Sequence, residues 1–269
     1  MCPMGAHFIL QEKTMELKRA TTFDEQAELL QKKGIIINDI HSCKEFLSRV
    51  NYYRLSGYYL PFIKKDETQC FIPICFERIQ NIYAFDAELR NLISFVIERI
   101  EVHIRTQLAY YHAHKYGSEG YIKPSSFNKK HNHSTYLKHV KSCISKNSNT
   151  LVVVKHHIAH YDGHFPIWAI IDFFSIGMLS YFYNRCAHYS RIYYWIFSAT
   201  PKMPTHEKYI PTRRLFAQLY MLKMMYPEKD KWNDEFLKPL IKLVKKYKKD
   251  ISLKHLDFPY RWKSMLKQK

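Results

Sequence analysis

The stretch Asn184-Arg185-Cys186-Ala187-His188-Tyr189-Ser190-Arg191 concentrates the chemistry that this chain offers. A neutral imidazole near pH 7 can take a proton from one oxygen and return it to another. A guanidinium beside it can hold a phosphodiester oxygen through its fixed fork of N–H donors. On a helix Arg185 lies three residues before His188, on the same face, and Arg191 lies three residues after it. The combination suits cleavage of RNA without a metal. That reaction needs a base for the 2′-hydroxyl, an acid for the leaving oxygen and positive charge on the phosphate. An Arg-x-x-His spacing alone is more often a surface pair than a catalytic one, so the rest of the chain has to carry weight.

Three other groupings compete. Arg105 and His112 are seven positions apart, which puts both side chains on one helical face two turns apart. Arg105 with Glu101 is expected to make buried or interface polar contacts, with catalysis or RNA binding by Arg105 and His112 as the sharper reading. The tyrosines 52, 53, 58 and 59 with Arg54 could stack on bases, although such clusters more often pack a core. His156, His160 and His164 repeat every four residues, a spacing that can bind zinc on a helix. No Cys or carboxylate completes the ligand set at the right spacing, and Gly163 weakens the helix there, so no metal or other cofactor is expected.

The elements that must position these residues read as mostly helical. The chain has 269 residues, 46% of them hydrophobic, and only 7 Gly and 11 Pro, which excludes a disordered chain and argues against a turn-rich β fold. Forty-two Lys+Arg against 24 Asp+Glu give a formal charge of +18, which favours a polyanionic partner, nucleic acid first and an acidic membrane surface second. The run KLVKKYKK (242–249) can supply sequence-independent phosphate contacts, although such a run is usually a solvated face. Six cysteines, at 2, 43, 70, 75, 143 and 186, show no C-x-x-C spacing and read as thiols in a reducing cytoplasm. No apolar run approaches the ~20 residues of a membrane span, and the opening MCPMGAHFILQEK lacks the pattern of a signal peptide.

Thr22-Phe23-Asp24-Glu25 is a capping box, with the helix stopping at Gly34. Ser42 is expected to open a second helix running through Val50. The Ser-Gly and Pro of NYYRLSGYYLPF (51–62) predict a turn between short elements, with a short strand at 70–74. From Phe76 to about Lys115 apolar residues recur at helical spacing through Leu108, with Gly117 as the stop, which predicts a rod of about 60 Å. Further helices are expected near 134–146, 150–161, from Pro166 onward, 212–226 and 233–249, with a proline-bearing loop at 199–211 and a short basic tail. The expectation is a frayed extension over 1–21, with Met15 as a plausible true start, and a single domain over 22–269.

Several of these strings together resemble the Abi-like (AbiD/AbiF) abortive-infection proteins of bacteria. They are TFDEQAELLQKKGIII (22–37), NYYRLSGYYLPF (51–62), IYAFDAELRNLISFVIERIEVHIRTQLAYYHAHKYG (82–117), HYDGHFPIWAIIDFFSIGMLSYFY (160–183), NRCAHYSRIYYW (184–195) and DFPYRW (257–262). That family is similar to the HEPN superfamily, and the resemblance implies an all-α, HEPN-like helical bundle with a long central helix. It also implies a metal-independent endoribonuclease toxin whose site usually reads Arg-Asn-x-Cys-Ala-His. Asn184, Cys186, Ala187 and His188 match that site, while Tyr183 stands in the arginine position. The S-F-G-x-L-S-like and Asn-x-Cys-Ala-His elements abut here, as in a member with an internal deletion, so Arg185 is the nearest replacement cation. The implied catalytic residues are His188, Asn184 and Arg185, with Arg191, Arg54, Arg105 and His112 as RNA contacts. The implied partners are RNA, a second copy of the chain and an RNA or protein antitoxin, in the cytoplasm and away from membranes. The alternative is a non-catalytic basic RNA-binding or interaction protein on the same scaffold.

Overall fold

The computed structural model describes residues 19–63, 73–127, 132–173, 191–204 and 208–268. Their fold is all-α, with one two-stranded parallel pairing and a single very long helix. Contacts gather the chain into two compact units, 1–79 and 80–269.

The first unit opens with α1 (Phe23–Lys32), whose capping box forms as expected. The Thr22 hydroxyl accepts from Glu25 N–H at 3.2 Å and the Glu25 carboxylate accepts from Thr22 N–H at 2.9 Å. Strand β1 (Ile35–Ile36) pairs in parallel with β2 (Ile74–Cys75), in the register Ile35 to Ile74. Helix α2 (Ile40–Arg49) begins earlier than the sequence suggested. Asp39, not Ser42, is its cap, and the Asp39 carboxylate accepts from Ser42 N–H at 3.0 Å.

The 51–62 stretch also departs from expectation. It folds as α3 (Tyr52–Tyr59), followed by a 3-10 turn at Leu60–Phe62. Asn51 caps it through Tyr53 N–H at 2.9 Å, and Leu55, Tyr58 and Tyr59 are buried. A good cap and three buried apolar side chains outweigh the roughly 1 kcal/mol that one internal glycine costs a helix.

Helix α4 (Phe76–Tyr116) carries the chain into the second unit. Its inner face is buried from Phe76 through Ile79, Ile82, Leu89, Ile93 and Ile97 to Ile100. The predicted stripe fails at its end, because Leu108 is 52% exposed and Ala109 takes the inward position. Gly117, at φ +84°, stops the helix, and its N–H donates to Ala113 O at 2.9 Å. Glycine suits that left-handed position because it has no Cβ to clash.

Helices α5 (His133–Asn147), α6 (Val152–His160) and α7 (Ile167–Ile170), with a 3-10 turn at Ile171–Phe173, enclose a small core of Tyr121, Val140, Val154, Phe165 and Ile170 with Ala109. Beyond come α8 (Leu215–Met225), a π turn (Asn233–Leu237) running into α9 (Lys238–Lys246), and α10 (Trp262–Leu266). The expected basic tail is folded: Trp262 and Leu266 are buried, Trp232 Nε1 donates to Leu266 O at 2.7 Å, and Asn233 exchanges hydrogen bonds with Gln268 at 2.9 and 3.0 Å.

Candidate functional site

The first half of α4 buries two charges in an otherwise apolar face. Asp86 and Arg90, one turn apart, are 0% and 1% exposed and form an ion pair. A charge pair in low dielectric survives only when its remaining lone pairs find donors. Asp86 finds them in the backbone. Its Oδ1 accepts from Ile192 N–H at 3.0 Å and from Tyr193 N–H at 2.7 Å. The carboxylate thus grips the chain one residue past Arg191.

The turn it holds is fastened at further points. The Tyr193 ring meets Phe85 edge-on at 5.8 Å, and its hydroxyl accepts from Ser252 N–H at 2.7 Å. Tyr194 sits at φ +66°, a conformation that costs a bulky residue energy and that surrounding structure must enforce. Its carbonyl accepts from Arg214 Nη1 at 2.9 Å, and its ring lies 4.6 Å from that of His255. The Arg191 guanidinium lies 5.9 Å from the centre of the Tyr194 ring. Arg213 Nε donates to Phe197 O at 2.7 Å, while Phe197 N–H donates to Arg213 O at 2.8 Å. Three arginines, a histidine and Tyr194 therefore collect around residues 191–197, while the Tyr193 ring is buried. Such a face can hold a phosphate by charge and a base by stacking.

The sequence-predicted residues fare differently. Asn184, Arg185 and His188 lie outside the described residues, as does Tyr183. Arg191 belongs to the turn just described. Arg54 sits half-buried on α3 in the first unit. Arg105 and His112 both lie on α4, yet in different surroundings. Arg105 donates to Glu101 Oε1 through Nε at 3.2 Å and through Nη2 at 2.5 Å, and its Nη1 donates to the Ile171 carbonyl. The His112 imidazole lies against Gly120 with its buried Nε2 making no hydrogen bond, and burial lowers its pKa, opposed in part by the nearby Gly120 backbone.

Histidines 156, 160 and 164 do not converge, the last lying past the end of α6. His156 and His160 have ring centres 4.8 Å apart, but His164 turns to Glu119 at 2.9 Å, which raises its pKa. Among the described residues no three His, Cys, Asp or Glu side chains gather as a metal would require. The run at 242–249 begins on α9, which buries Leu240 and Leu243 and exposes Lys242, Lys245 and Lys246.

Asp86, Arg90, Arg213, Arg214 and His255 were not singled out from sequence. For the first two a signal exists: a carboxylate and a guanidinium one turn apart, each flanked by residues of the buried stripe. Charges on an inward helix face are seldom tolerated without a partner or a task.

A helical, strongly cationic protein with a buried clamp on its arginine- and tyrosine-rich turn is the class that fold and site define. The family model of the Abi-like proteins matches residues 45–191, more than half of the chain, and the chain belongs to that family. Its role at the coarsest level is thereby abortive infection, a defence against phage. Neither the comparison with curated proteins nor that with solved structures gives a match. Among the described residues no helix is long and apolar enough to cross a membrane.

Proposed function

We propose that the chain acts on RNA in the bacterial cytoplasm as a metal-independent, HEPN-type endoribonuclease toxin of phage defence. In this reading His188 takes the proton of a 2′-hydroxyl, the 2′-oxygen attacks phosphorus to form a 2′,3′-cyclic phosphate as the P–O5′ bond breaks, and the 5′-oxygen leaves with a proton from water. Asn184 and Arg185 polarise the phosphate, Arg191 holds its neighbour, and Arg54 and His112 are the further RNA contacts, whereas Arg105 is taken up by Glu101 and the Ile171 carbonyl. The natural partners are RNA, a second copy of the chain and an RNA or protein antitoxin. The observation that carries the reading is the grip of Asp86 on Ile192 and Tyr193, which anchors the chain beside the 184–191 segment and presents Arg191 over Tyr194.

A second reading is supported by Tyr183. It stands where the family's site arginine would be, and a phenol carries no positive charge at pH 7. On that reading the chain binds RNA without cutting it.

Incubation of the purified protein with total RNA in EDTA, beside His188→Ala, separates the two. Cleavage that persists in EDTA and is lost in the variant supports the nuclease. Binding without cleavage supports the second reading, with log K falling by about 0.7 per phosphate contact for each decade of salt. Affinity indifferent to salt overturns both.

A further inference from the structure

Beside the second half of α4, within the unit formed by residues 80–269, lies a groove of about 1230 Å3 bounded on its far side by Trp168, Ile171 and Asp172. Its floor is made small by Ala109 and Ala113. Its apolar lining faces water: Val102 is 60%, Tyr110 56% and Trp168 58% exposed. Its charged residues are three carboxylates, Glu98, Glu101 and Asp172, against Arg105, with His114 near one end. Arg105 is already committed to Glu101 and the Ile171 carbonyl. Glu98 and Asp172 are exposed, so a chain of formal charge +18 presents here a local acidic rim around an apolar trough.

We infer that this groove docks a cationic amphipathic helix of a partner protein. The trough is long enough and open enough to seat a peptide segment. Two turns of a helix ~10 Å wide fill roughly 850 Å3. The apolar trough takes the hydrophobic face of such a helix, anchored at i, i+3 and i+7 spacing. Exposed apolar surface ringed by polar groups is the usual mark of such a contact. The rim selects its charge: Lys or Arg flanking the apolar stripe meets Glu98 and Asp172. The same rim repels the RNA backbone, and a second copy meeting groove to groove brings an equally acidic rim. The inference is independent of the RNA reading.

The test uses the full chain carrying 5-fluorotryptophan, with the four resonances assigned by single Trp→Phe variants. The probes are a synthetic helical peptide of Leu and Lys at amphipathic spacing and its Leu/Glu counterpart. The Leu/Lys peptide shifts the Trp168 resonance and binds; the Leu/Glu peptide does not. Glu98→Lys with Asp172→Lys weakens Leu/Lys binding at least about tenfold and creates binding of the Leu/Glu peptide. Glu98→Gln with Asp172→Asn gives an intermediate loss and serves if the reversal misfolds. RNA affinity does not fall in either variant, so failure here and failure of the RNA reading are separate results. The inference is overturned if neither peptide binds, if both bind alike, or if the variants leave affinity unchanged. It is also overturned if Trp168 is shielded from solvent, either in a dimer of this chain or by the chain's own residues in a monomer.

Discussion

Asp86 has two tasks, and a double-mutant cycle separates them. As counter-ion to Arg90 it neutralises a guanidinium that is 1% exposed. As a backbone acceptor it satisfies the N–H groups of Ile192 and Tyr193 at 3.0 and 2.7 Å. Asp86→Leu alone strands the buried guanidinium and should cost about 3–5 kcal/mol, a large share of the roughly 5–15 kcal/mol that holds a domain together. Replacing both members, as Asp86→Leu with Arg90→Met, removes the stranded charge, and a buried ion pair exchanged for apolar side chains is often neutral. The two backbone N–H groups remain without their acceptor, however, and each buried unsatisfied donor costs about 1–3 kcal/mol. The double variant should therefore stay at least about 2 kcal/mol below the parent. Equilibrium urea unfolding followed by far-ultraviolet circular dichroism reads this as a midpoint lowered by roughly 0.7 M or more at a slope near ~3 kcal/mol/M. Amide exchange at Ile192 and Tyr193 should quicken in the same variant. A double variant within ~0.5 kcal/mol of the parent, with unchanged exchange at those two amides, would refute the clamp and leave Asp86 a counter-ion only.

Two further outcomes follow from the far end of α4. In an NMR titration His112, its pKa lowered by burial, should change charge below the usual value near ~6.5, while His164, raised by Glu119, should change above it. The His112 contribution to stability is then present above its unfolded pKa and lost as pH falls through the folded one; that of His164 is present below its unfolded pKa and lost as pH rises through the folded one. Glu119→Gln should lower the His164 midpoint toward the ordinary value, with Asp162 still raising it, and leave His112 in place; equal midpoints in the parent would contradict the assignment. Gly120→Ala should destabilise by about 1–3 kcal/mol and shift the His112 resonance, because the added Cβ falls 2.4 Å from Tyr116 Cβ and 3.0 Å from His112 Nε2. Gly117→Ala meets nothing within 4 Å and should cost only its positive φ, leaving His112 unmoved.

The helices that announced themselves in the sequence did so through local rules. The Thr22 capping box needs only four consecutive residues, and α4 needs only a repeat near 3.6 with glycine at its end. Helix α3 was hidden because Ser56-Gly57 and Pro61 look like breakers, whereas Asn51 and three inward side chains decide the matter. The tail read only as short and basic because its hydrogen bonds, Trp232 to Leu266 and Gln268 to Asn233, span 34 and 35 residues of sequence. The site is less legible still. Helical spacing puts Arg105 and His112 on one face, and both are there, but spacing does not say that one reaches Ile171 and the other Gly120. The clamp joins residues 106 and 107 positions apart through a side chain and two peptide groups, a pairing with no local trace beyond the charges themselves.

Helix α4 is one element under two regimes, and that difference orders the possible roles of its cations. From Ile82 to Ile100 its inner face is sealed, and Asp86 and Arg90 are affordable there only because backbone donors complete the carboxylate. From Val102 to Tyr111 much of its apolar surface meets water, at Val102, Leu108, Tyr110 and Tyr111. A helix of this length does not hold by propensity alone; packing supplies most of its stability. In the second half Arg105 is the strut that ties α4 to the Ile171 carbonyl, and Glu101 orients it. For Arg105 to hold an RNA phosphate it would have to release donors already bound to a carboxylate and a carbonyl, beside the acidic rim of Glu98 and Asp172. Arg191 sits instead 5.9 Å from the centre of the Tyr194 ring, beside the clamped turn and three residues from His188 in sequence. Of the two, Arg191 is the one whose neighbouring backbone Asp86 fixes, next in sequence to the family's site segment.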